Sequence, residues 1–126
     1  MIINANTHFK IADYILETIT SGDWTLEKWA SGKAVLKGNN VTSTSVNTAH
    51  GNGYKSEDII ITQELLTQFK TIKNLKVYTN PTGYPQNAQA KSYSVTNSTI
   101  IYFIWTTVAA SSHSVNVGID VEGRWQ

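Results

Sequence analysis

Asp120 and Glu122 stand two residues apart in a run that alternates apolar and polar side chains. On a strand that spacing puts both carboxylates on one face, about 7 Å apart. Such a pair could serve an inverting glycosidase or a calcium site. Arg124 shares their face, and the run reads instead as a solvated outer surface. Glu57-Asp58 precedes an apolar run and reads as a solvated turn; neither pair resembles a calcium loop with acidic ligands at alternating positions. His8, His50 and His113 lack ligand spacing such as H-x-x-x-H. No serine occupies a G-x-S-x-G elbow, and no helix follows His50-Gly51-Asn52-Gly53 to hold a phosphate. The expectation is a protein with no catalytic constellation, metal or cofactor.

The aromatic residues carry the remaining chemistry. Trp and Tyr combine a large apolar area with a polar tip, which suits sugar stacking or protein contacts. Trp24 and Trp29 are five apart, hence on opposite faces of one strand. One of them enters the subunit's own core; the other can pack under lysine stems, fill a subunit interface or bind ligand, and the interface ranks first, so the pair supplies the candidate subunit interface. Trp105 and Trp125 lie in strongly apolar strands and are expected in the core. Tyr78 and Tyr84 flank the loop from Asn80 to Pro85, and Tyr54 follows His50-Gly51-Asn52-Gly53. Loops on a rigid scaffold carry function, so His50, Tyr54, Tyr78 and Tyr84 are the candidate ligand-binding residues.

Strands must position these side chains. Asp13 to Thr20 reads as one strand, which Ser21-Gly22-Asp23 turns back into a second, Trp24 to Trp29. Ala30-Ser31-Gly32 leads to a third, Lys33 to Lys37, with Gly32 free to adopt the left-handed conformation. Three strands within about 25 residues need little loop-closure entropy. Asn40 to Val46 is β-rich but weakly apolar and reads as an edge or interface strand; Asn47 to Tyr54 reads as a flexible loop. Ile59, Ile60 and Ile61 suggest a strand buried on both faces. Thr62 to Lys70 is the helical candidate, capped by Thr62, with Leu65, Leu66 and Phe69 on one side. Its β-rich surroundings favour a short 3₁₀ or α turn. Asn74 to Thr79, Gln89 to Thr96 and Thr99 to Val108 read as further strands, and Ala109 to His113 as a turn.

In the last strand Val115, Val117, Ile119, Val121, Gly123 and Trp125 point one way. Asn116, Gly118, Asp120, Glu122 and Arg124 point the other. About nine strands at this spacing predict an all-β fold: an antiparallel, jelly-roll-like β-sandwich with one short helical turn. Residues 12–126 form the single domain and residues 1–11 a connector.

Composition narrows the function. A chain of 126 residues can bury one core. Charged residues make up 15%, below the roughly 25% of ordinary globular proteins, and the polarity comes from Thr, Ser and Asn. A net charge of +1 provides no basic field for nucleic acid or an anionic membrane. The lack of cysteine excludes disulfides and thiol chemistry. No signal peptide is visible at Met1-Ile2-Ile3-Asn4. The longest apolar run, Ile100 to Trp105, is far short of the about 20 residues that cross a bilayer, so membrane insertion is not expected.

Both ends of the chain carry a resemblance. Asp13-Tyr14-Ile15-Leu16-Glu17, then Ser21-Gly22, Trp24-Thr25, Lys28-Trp29, Ser31-Gly32, Ala34 and Gly38, resemble a module of tail fibres, baseplates and receptor-binding proteins. These belong to phages and prophages of Gram-positive bacteria. The closing run from Val115 to Gly123-Arg124-Trp125 resembles the way such modules end, while the middle of the chain diverges. The resemblance implies a non-enzymatic virion module that is assembled in the host cytoplasm and acts outside the cell. It further implies a homotrimer that contacts other virion proteins and binds host cell-surface saccharide. The alternatives are a capsid or neck decoration without a receptor role, and a cell-wall glycan hydrolase.

Overall fold

The alternation from Val115 to Val121 becomes the central strand of the molecule. The computed structural model describes residues 12–79 and 86–126, so the connector, His8 and Tyr84 lie outside the described residues. Within them the strands are β1 (Ile15–Ser21), β2 (Trp24–Trp29), β3 (Lys33–His50), β4 (Gly53–Ser56) and β5 (Ile59–Thr62). A 3₁₀ turn (Glu64–Gln68) follows, then β6 (Thr71–Thr79), β7 (Gln86–Ser94), β8 (Thr99–Thr106) and β9 (Ala110–Arg124). Every pairing is antiparallel, in the order β1-β2-β3-β4-β8-β5, with β7 on β8 and β9 between β3 and β6. The fold is the expected antiparallel all-β sandwich.

β3 and β9 run side by side, from Lys33 opposite Arg124 to Val46 opposite Ala110. A bulge between Thr44 and Val46 re-aims β3, so that its first part pairs with β2 and its last part with β4. The curled sheet brings its inner faces together. Trp24, Leu26, Leu36, Val115, Val117, Ile119 and Val121 meet Ile61, Ile100, Tyr102 and Ile104 in one buried cluster, which Leu65, Leu66 and Phe69 extend. Asn40 donates its side-chain amide to the Tyr102 hydroxyl at 2.9 Å, which satisfies the fully buried phenol; burial raises its pKa.

Several elements differ from expectation for definable reasons. Asn40 to Val46 is not a separate strand but the middle of β3, held along one side by β9. Asn47 to Tyr54 is a tight hairpin of β3 and β4, in which Gly51 has φ +60°. β9 begins at Ala110, inside the expected turn. Ile60 is 63% exposed because β5 buries only one face, on β8. Gln63 rather than Thr62 caps the 3₁₀ turn, its side chain accepting the Leu65 N–H at 3.1 Å.

The two tryptophans expected in the core are only half-buried. Trp105 lies over Gly53, and its indole donates to the His50 carbonyl at 3.3 Å. Trp125 lies just past β9, its indole donating to the Trp29 carbonyl at 2.9 Å. Trp24 lies flat on Gly38 inside its own subunit's core, where a side chain at position 38 would overlap its ring. Trp24 is thus the one of the pair that enters the subunit's own core, and it is not available to a subunit interface. Trp29 is half-buried on the other face, under the Lys33 ammonium at 5.2 Å.

Candidate functional site

Period-two alternation on three neighbouring strands builds a polar floor outside the core. In register across β3, β9 and β6 stand Lys37–Asp120–Lys76, Val35–Glu122–Asn74 and Asn39–Gly118–Tyr78. The glycine in the last row has a reason. The Tyr78 ring lies on Gly118, and any β-carbon there would overlap it. Tyr78 is 44% exposed and donates its hydroxyl to Asp120 Oδ1 in a long hydrogen bond of 3.4 Å. Desolvation, then the Asp120 charge and hydrogen bond, hold its pKa above the ordinary phenol value.

Three clefts lie along this floor. One of about 380 Å³ is lined by Asp23, Thr25, Lys37, Asn39, Tyr78 and Asp120. A second, of about 240 Å³, shares Lys37 and Asp120 with it and continues past Val35, Asn74 and Lys76. The third, of about 490 Å³, shares Lys33 and Glu122 with the second and ends at Thr71, Lys73 and Arg124. Together they make one open groove along β9. From Gly118 to Arg124 it runs about 20 Å at a strand's rise per residue.

The sequence placed His50, Tyr54, Tyr78 and Tyr84 together on loops. Tyr78 is in the groove, but on β6. Tyr54 lies in β4 opposite the buried Thr106, half-buried against the core. His50 ends β3 beyond the outer face of β8, its ring edge-on to Phe103 at 5.8 Å, with Lys55 5.7 Å over the same ring. His50 and Tyr78 are therefore on opposite layers and form no common site. Asp120 and Glu122 do share the groove floor. Sequence reasoning missed Lys33, Lys37, Asn39, Lys76 and Gly118 as their companions. A glycine inside a strand pattern was the available signal, since it marks close approach by another group.

The residues that carry the terminal resemblance converge elsewhere, in a clasp at one end of the sandwich. Asp13 accepts the Ser31 hydroxyl at 2.5 Å and the Ser31 and Tyr14 N–H groups at 3.0 Å each. The Ser31 hydroxyl is the main cause that holds the Asp13 carboxyl below its ordinary pKa. Gly32, at φ +95°, accepts the Trp125 N–H at 3.0 Å, and Arg124 donates to the Ser31 carbonyl at 2.9 Å. Lys28 reaches Gln68 at 2.6 Å and Glu17 at 3.3 Å, with its ammonium 5.7 Å over the Trp125 ring. These contacts give the spaced motif a structural role: it closes the first hairpin onto the last strand.

Among the described residues no three His, Asp or Glu side chains gather into a metal-binding group. No family model, curated protein or solved structure matches this chain.

Proposed function

We propose that this chain is a non-enzymatic module of a phage virion, in the tail tip, baseplate or fibre. In this reading it binds host cell-surface saccharide in the groove along β9 and works as a homotrimer. Tyr78 carries the saccharide reading: its half-open ring covers Gly118, with Asp120, Asn39 and Lys37 lining the same cleft. A flat aromatic face takes the apolar side of a sugar ring, and flanking donors and acceptors take its hydroxyls. The virion context rests on the resemblance of the two terminal motifs. Three copies would add avidity to weak individual sites.

A glycan hydrolase would use Asp120 and Glu122, which share a face two residues apart on β9, about 7 Å by strand rise and so within the range of an inverting pair. Asp120, however, stands in register between Lys37 and Lys76, whereas a carboxyl that serves as a proton donor sits in an apolar pocket. The groove geometry favours holding over cutting.

Incubation with Gram-positive cell-wall polysaccharide, scored for retention and for release of reducing ends, tests this. The expected result is retention without cleavage, weakened by Tyr78→Ala with melting unchanged. Cleavage lost in Asp120→Asn would install the hydrolase instead. Absence of retention would leave a capsid or neck decoration without a receptor role.

A further inference from the structure

The two ends of the groove differ in charge. At the Tyr78 end, Lys37 faces two carboxylates, Asp23 and Asp120, beside an aromatic ring. At the other end Lys33, Lys73 and Arg124 surround the single carboxylate of Glu122. Along the whole groove five cations meet three carboxylates, so half of the chain's ten Lys and Arg residues line it. The excess is concentrated at one end.

The cations there are only partly committed. Lys33 rests on the Trp29 ring, and Arg124 spends its Nη2 on Ser31 and its Nε on Gln126, which leaves further guanidinium N–H groups for an outside acceptor. Neither Lys73 nor Glu122 forms an ion pair among the described residues. The cleft they line is the largest of the three. A neutral glycan offers three cations hydroxyl acceptors but does not neutralise their charge. A chain bearing anions does.

We infer that the groove takes an anionic polysaccharide, with a sugar ring on Tyr78 and a carboxylate or phosphodiester about 20 Å away between Lys33, Lys73 and Arg124. This rests on the saccharide reading above and narrows it to a charged repeat. The span from Gly118 to Arg124 sets the distance between the two recognised features.

Titration calorimetry of the purified chain separates the possibilities, with dextran, polygalacturonate, phosphomannan and inorganic polyphosphate as probes. At least one anionic polysaccharide is expected to bind about tenfold more tightly than dextran at low salt, the sum of a few exposed charge pairs. Which of the two does so tells carboxylate from phosphate. Raising the salt should erode the advantage. Lys73→Glu should abolish it with melting unchanged, and Lys73→Arg should keep it. Tyr78→Ala should weaken every saccharide. Equal binding of dextran and both anionic polymers, or an unaltered preference in Lys73→Glu, overturns this inference but leaves the saccharide reading standing. Polyphosphate bound as tightly as the preferred anionic polysaccharide overturns it as well, since charge alone would then suffice. No binding of any polysaccharide removes both.

Discussion

Replacing Gly32 by Val attacks the clasp at its tightest point. Gly32 has φ +95°, a region that costs a side-chain-bearing residue about 1–2 kcal/mol, and a β-branched residue is at the upper end. A β-carbon there would also overlap the Arg124 guanidinium. Arg124 is exposed and can swing away, but it then gives up its 2.9 Å bond to the Ser31 carbonyl, worth about 0.5–1.5 kcal/mol. The two effects together predict a loss of about 1.5–3.5 kcal/mol. At about 4 °C per kcal/mol for a domain of this size, the melting temperature should fall by roughly 6–14 °C. Thermal unfolding followed by circular dichroism measures it. The cycle with Arg124→Ala apportions it: in that background the same change should cost only the backbone part. A Gly32→Val protein that melts within 2 °C of wild type would refute the reasoning, as would an unchanged cost in the Arg124→Ala background.

Other substitutions test other levels of the structure. Ile119 is fully buried, so Ile119→Ala should cost about 2–5 kcal/mol in chemical denaturation; wild-type-like unfolding would place it outside the core. The Ser31 hydroxyl holds the Asp13 carboxyl below the ordinary carboxylate range, so its contribution is present above that range and is lost as the pH falls through the lowered value. Urea midpoints of wild type and Asp13→Asn should therefore differ at pH 7 and draw together as the pH falls below the ordinary carboxylate range; a gap that stays constant through that acid limb would contradict the assignment. Gly118→Val should displace the Tyr78 ring and abolish saccharide retention, whereas Asn116→Val, on the same exposed face of β9, should not.

Strand periodicity made part of this structure legible. Val115 to Val121 alternates except at Gly118, which the Tyr78 ring covers, and Gly32 fills the turn that only a residue free at positive φ fits. β3 was harder, because Asn40 to Val46 is small and polar; what holds it in line is pairing with β9, some 70 residues away. Ile60 looked buried because its neighbours are apolar, yet the lack of a second covering layer on β5 decides its exposure. The groove was the least legible feature. Asp120 and Glu122 could be seen to share a face, but Lys37, Lys76 and Tyr78 join them only through the registers of β3 and β6. The prolines flanking Tyr84 mark a loop, whereas Tyr78 lines the groove from the strand before it. Conversely, Asp13, Ser31, Gly32, Arg124 and Trp125 of the terminal motifs specify the clasp at the end of the sandwich, Trp24 packs on Gly38 in the core, and none of the clasp residues lies on the groove floor beside Tyr78.

Chemical-shift mapping with isotope-labelled protein and fragments of Gram-positive cell-wall polysaccharide addresses binding along β9 most directly. Saturable shifts at the amides of Lys37, Asn39, Tyr78, Gly118 and Asp120, with His50, Lys55 and Phe103 unmoved, are the expected result. Shifts confined to His50, Lys55 and Phe103 on the opposite layer, or none at millimolar fragment, would contradict it.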